Sequence, residues 1–184
     1  QQSLIRTIAR KGIRFVGAVS EIATPDAVAN NATPAHAPPG LRQEIHFCTA
    51  SDGVRIAYAE VGQGPPLIKA ANWLNHLEYD WQSPIWSHLL HAVAAKHRLI
   101  RYDARGNGLS DWEVNDISFE AFVHDLESVV DAVGLDRFPL FGISQGCAVS
   151  IAYAVRHPER VSRLILYGGF VRGRRKRGSP KEIE

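Results

Sequence analysis

The apolar run at 138–143 passes straight into Gly142-Ile143-Ser144-Gln145-Gly146, and a helical pattern follows until Pro158 stops it. A chain that turns so abruptly from strand to helix must pack its backbone closely on both sides of the turn. Side chains at the flanking positions would collide with the strand and the helix, which accounts for Gly142 and Gly146. Ser144 is then carried on a strained turn that lifts its hydroxyl off the end of a sheet. A helix beginning at Gln145 aims its first amides at the same point, so the Gln145 N–H is placed to donate to a developing oxyanion. An ordinary strand-to-helix turn capped by serine is the alternative, and the paired glycines weigh against it.

The rest of the chain supplies the sheet. Residues 45–50 and 54–61, joined by Ser51-Asp52-Gly53, have the composition of an antiparallel pair. Short apolar runs at 67–71, 99–102, 138–143 and 164–167 then alternate with helical patterns. That alternation predicts an α/β fold, a mostly parallel sheet with helices on both faces. Ser83 and Pro84 offer an N-cap and first-turn proline for one helix. Ser118 caps another, in which Phe119, Phe122, Val123, Leu126, Val129, Val130 and Val133 define one buried face and Gly134 ends the run. A third helix is expected over 145–157.

The chain has 184 residues, 45% of them hydrophobic, which suits one ordinary core. No apolar run is long enough to span a bilayer and no hydrophobic signal region opens the chain, so a soluble, cytoplasmic protein is expected. Cys48 and Cys147 are too few for a disulfide framework or a zinc site and are expected to be reduced core thiols. No methionine is present, which leads to the expectation that the chain is a fragment of something longer. The net charge of +2 is unevenly spread: residues 1–19 carry four basic and no acidic groups, 20–171 carry 11 basic and 17 acidic, and 172–184 carry six basic and two acidic.

The loop Asp103-Ala104-Arg105-Gly106-Asn107-Gly108-Leu109-Ser110 follows a strand, and together with Gly142 to Gly146 it resembles the α/β-hydrolase superfamily over residues 43–170. The resemblance implies the N-terminal half of that fold, incomplete at its C-terminus, with Ser144 as catalytic nucleophile and no cofactor or metal. It implies oxyanion donors at Gln145 and, by position, Trp73, where the family usually has His-Gly and this chain has Ala71-Asn72-Trp73. Asp103 and Arg105 become structural supports, Arg105 by pairing nearby carboxylates or carbonyls. Trp73, His76, Tyr79 and Trp81 either line the pocket mouth or fill core.

The family's chain order is serine, acid, histidine. After Ser144 the sole histidine is His157, at a helix end, so the acid and base are expected to lie outside this chain, and the sheet to stop on an unpaired strand at 164–167. Serine at the turn argues against the haloalkane dehalogenase and epoxide hydrolase branches, which use aspartate there.

At the N-terminus, two β-rich runs surround Ala9-Arg10-Lys11-Gly12 and predict a hairpin. It resembles the C-terminal wing of the winged-helix DNA-binding domain of bacterial response regulators, which implies DNA contacts at Arg10, Lys11 and Arg14. The domain organisation expected is a remnant wing at 1–19, a Pro/Ala-rich linker at 20–42, the hydrolase half at 43–170 and the basic start of a cap region at 171–184. The parent is then a transcriptional regulator joining a winged helix to a serine hydrolase module that acts on an ester or related acyl bond of a small molecule. A stand-alone α/β-hydrolase and a non-catalytic small-ligand sensor are the alternatives.

Overall fold

The computed structural model describes residues 5–8, 12–15 and 40–170, and the chain divides into two compact units, 1–31 and 32–184. In the first, β1 (Ile5–Ile8) and β2 (Gly12–Phe15) pair antiparallel, with Ile5 opposite Phe15 and Arg6 opposite Arg14. Arg10, Lys11, most of the expected linker and the basic segment 171–184 lie outside the described residues.

The second unit is built on one six-stranded sheet in the order β3-β4-β6-β5-β7-β8, comprising Glu44–Thr49, Arg55–Val61, Arg98–Tyr102, Pro66–Lys69, Phe138–Ile143 and Val161–Tyr167 respectively. The pairs β3–β4 and β4–β6 are antiparallel, and the remaining pairs are parallel. This is the mostly parallel α/β sheet that the alternation of apolar runs predicts.

Because side chains alternate across a strand, neighbouring residues feed opposite layers. Ile68, Ile100 and Leu140 pack with Val123, Leu126, Val129 and Val130 of α3 (Phe119–Val133) and with Val149 and Tyr153 of α4 (Gln145–Arg156). Leu67 and Leu99 turn to the other face, against Trp81 of α1 (Leu77–Gln82) and Leu90 and Ala94 of α2 (Ser87–Ala94). Each fully buried Leu, Ile or Val stabilises the fold by about 1.5–3 kcal/mol relative to an exposed one. Ser118 caps α3 through its hydroxyl, which accepts from Ala121 N, and Gly134 closes it in the left-handed region at φ 68°.

The helix start expected at Ser83-Pro84 falls elsewhere. Ser83 instead closes α1, its hydroxyl accepts from Ile85 N at 3.1 Å, and α2 begins at Ser87. The cause is local: a residue before proline is pushed to extended backbone, and Ser83 has ψ 133°. Among the described residues β8 has a strand neighbour on one side only, and its Leu164, Ile165 and Leu166 are 39–45% exposed. No described helix is long and apolar enough to cross a membrane.

Candidate active site

Ser144 sits between β7 and α4 at φ 52°, ψ −116°, outside the regions that non-glycine residues ordinarily occupy. Such a conformation costs on the order of 1–3 kcal/mol and persists only where the surroundings impose it. Here they do. Ser144 N donates to Tyr167 O at the end of β8 (3.0 Å), Ser144 O accepts from Cys147 N (3.1 Å), and the Cys147 thiol donates to Gly142 O (3.2 Å). A Cβ on Gly142 would stand 2.8 Å from Cys147 Cα and Gly146 O, and one on Gly146 would stand 2.7 Å from Ala71 O. Both glycines are therefore close-approach positions. The Ser144 side chain is exposed and its Oγ has no hydrogen-bond partner among the described residues.

The Ala71 contact brings the loop after β5 against the first turn of α4. Trp73 and Gln145 line the same cavity of about 40 Å³, together with Ala71, Asn72 and Asn107. Neither the Trp73 nor the Gln145 backbone N–H has an acceptor among the described residues. The loop itself bends through Leu74, another non-glycine residue at positive φ (55°).

The other aromatic residues of that loop separate. His76 is the N-cap of α1, its Nδ1 accepting from Glu78 N and Tyr79 N. Tyr79 points to solvent at 74% exposure, whereas Trp81 is buried in the layer beneath. A histidine cap is outside the usual Ser, Thr, Asp and Asn set, so no sequence signal marked this short helix.

Asp103 is fully buried at the end of β6 and accepts from Asn75 Nδ2 (2.6 Å), Leu109 N (2.8 Å) and Leu77 N (3.2 Å). Burial pushes its carboxyl up to about 6, in spite of those donors. Arg105, 2% exposed, donates from Nε and Nη2 to the buried Asp125 of α3 and from Nη1 to Asp52 (2.6 Å) and to Asp116 O (3.1 Å). Burial opposes its charge, but the two carboxylates hold its pKa above the ordinary value. One guanidinium thus ties the 103–110 loop to α3 and to the β3–β4 turn. Asp125 stands on the apolar face of α3, and that misplaced charge was the available sequence signal for its partnership.

His157 closes the far end of α4, roughly 20 Å of helix away from Ser144. Its Nε2 lies 2.9 Å from Glu127 Oε1 and its ring packs on Tyr153. Cys147 is buried and Cys48 partly so, and both are free thiols. Among the described residues no cluster of three or more His, Cys, Asp or Glu side chains is arranged to hold a metal ion.

Residues 73–180 match the family model described as alpha/beta hydrolase fold. The chain is 32% identical over 130 residues to 2-hydroxy-6-oxononadienedioate/2-hydroxy-6-oxononatrienedioate hydrolase 1 of Dechloromonas aromatica, an alignment covering 70% of this chain and 41% of that one. It is 30% identical over 131 residues to 2-hydroxy-6-oxo-2,4-heptadienoate hydrolase of Pseudomonas putida, with 70% and 41% covered. The solved structure of a hydrolase from Pseudomonas aeruginosa superimposes with a TM-score of 0.60 at 28% identity, covering 68% of this chain and 46% of that one. The chain spans about two fifths of the length of the curated relatives it matches.

Proposed function

The chain belongs to the α/β-hydrolase fold family, and from that premise we propose that Ser144 is the nucleophile of a hydrolase module acting on an ester or related acyl bond of a small molecule. The observation that carries this reading is the exposed Ser144 hydroxyl, without a hydrogen-bond partner among the described residues, held in a strained turn directly before Gln145, which lines one cavity with Trp73. In the reaction Oγ attacks the carbonyl carbon, and the charge that develops on the carbonyl oxygen is met by the N–H groups of Gln145 and Trp73. Fixed backbone donors suit this task because they need no reorganisation as charge forms. The serine proton needs an acceptor and the acceptor an orienting carboxylate. His157 stands at the opposite end of α4 from Ser144, roughly 20 Å away, so the acceptor and its carboxylate are assigned to residues outside 40–170. The two curated relatives are named as hydrolases of unsaturated 2-hydroxy-6-oxo carboxylates, which supports a small, unsaturated carbonyl compound as the substrate class.

The test compares the chain and a protein that continues the sheet past β8, each with Ser144→Ala, on activated esters. The chain alone is expected to give no turnover above its variant. In the continued protein the substitution is expected to lower kcat by on the order of 10⁴-fold or more. Ser144-dependent turnover by the chain alone would overturn the assignment of the base, and unchanged kcat in the longer protein would overturn the nucleophile.

The antiparallel register of β1 and β2 supports a second element of the proposal. In it, residues 1–19 are the remnant wing of a DNA-binding domain in a parent regulator, with Arg10, Lys11 and Arg14 meeting DNA.

A further inference from the structure

One charged side chain in the sheet interior has no part in the roles above. Lys69, the last residue of β5, is 6% exposed and lies in register between Arg101 of β6 and Phe141 of β7. Leu67, two residues earlier on the same face, packs with Trp81, Leu90 and Leu99. An apolar side chain would suit such a position, so the ammonium calls for a reason. Its Nζ donates to Asn72 Oδ1 at 2.5 Å and to Ala70 O at 3.3 Å, while Asn72 Nδ2 reaches Trp73 O at 3.4 Å. The same short segment carries Ala71 O, pressed on Gly146, and the Trp73 amide.

We propose that Lys69 is a positioning residue whose ammonium clamps loop 70–73 and so holds the Trp73 amide on the cavity it shares with Gln145. This rests on the reading of Ser144 as nucleophile for its purpose, although the clamp itself is independent of turnover. Among the described residues three charged groups act on Lys69: Arg101 from β6 repels it, while Asp80 from α1 and Asp103 from the end of β6 attract it, and β7 presents the uncharged Phe141. Burial, followed by Arg101, brings its pKa down to about 8 from 10.5. The clamp is therefore charge-assisted below that pH and weaker above it.

The global effect has the opposite sign. Between about 8 and 10.5 the unfolded chain holds the proton more firmly than the folded one, so the Lys69 contribution to stability rises with pH while the loop loosens. A merely structural lysine would not separate the two.

Hydrogen–deuterium exchange of the chain, followed by mass spectrometry on peptides covering 70–76 and corrected for intrinsic base catalysis, tests this between pH 6.5 and 9.5. The wild type is expected to lose roughly tenfold in loop protection around pH 8, the difference between a charge-assisted and a neutral hydrogen bond. Lys69→Met should show no step. Asn72→Asp, at a half-buried position, should move the step upward, because a carboxylate favours the ammonium. A wild-type profile without a step, one that Lys69→Met reproduces, or an unmoved step in Asn72→Asp overturns the proposal. Should Lys69→Met not fold, Asn72→Asp decides. Ser144→Ala should leave the loop profile unchanged, so failure of the hydrolase reading, seen in turnover, is distinct from failure of the clamp.

Discussion

Arg105→Met is expected to lower the stability of the chain by about 3–5 kcal/mol, because it leaves a buried carboxylate without its partner. Asp125 is fully buried on α3 and its oxygens accept from Arg105 Nε and Nη2 at 2.7–3.1 Å and from Arg105 N at 3.3 Å. Without the guanidinium, the carboxylate keeps a single long backbone donor among the described residues, and the turn holding Asp52 loses its tie to α3. The measurement is denaturant unfolding of both proteins, and a loss below about 1 kcal/mol would show that the pair is not a structural requirement. The double variant Arg105→Met with Asp125→Leu should lose less than the single one, since removing both charges also removes the desolvation penalty. Arg105→Lys is not conservative, because an ammonium cannot reach two carboxylates and a carbonyl as a planar fork does.

Gly108→Ala comes next in expected size. Gly108 has φ 55°, and a Cβ there would stand 2.0 Å from Asp103 Oδ2 and 2.2 Å from Asp103 Cγ. Asp103 has little room to yield, because Leu77 N, Leu109 N and Asn75 hold its oxygens from three directions. The left-handed backbone costs about 1–2 kcal/mol and the overlap about 1–3 kcal/mol more, giving a loss of about 2–5 kcal/mol. Gly134→Ala provides the comparison: its φ is 68°, yet no atom of the described residues lies within 4 Å of the added methyl, so it should lose the backbone component alone. Equal losses in the two variants would show that the Asp103 contact is unimportant.

Much of the fold is legible in the sequence because it follows from short-range pattern. The apolar face of α3, with its Ser118 cap and Gly134 stop, and the strand–Gly-x-Ser-x-Gly–helix passage are set by neighbours a few residues apart. Other features depend on partners that only the tertiary structure brings together. Nothing near Arg105 in the chain points to Asp125, twenty residues on, or to Asp52, fifty-three residues back. Lys69 and Arg101 sit in runs dominated by apolar residues, and their charges become meaningful only once β5 and β6 lie side by side. α1 escaped because its cap is a histidine and its last residue is set by the pre-proline backbone of Ser83.

The bond from Ser144 N to Tyr167 O joins the strained turn to the last described strand of the sheet. Fraying of β8 therefore lets the serine relax toward an ordinary backbone conformation, and the two events share one equilibrium. Any chain segment that pairs with the side of β8 lacking a strand neighbour among the described residues stiffens the turn as well. By reciprocity, a ligand that captures the serine in its strained form tightens that added segment by the same factor, so edge occupancy and serine geometry are thermodynamically linked across the width of one strand.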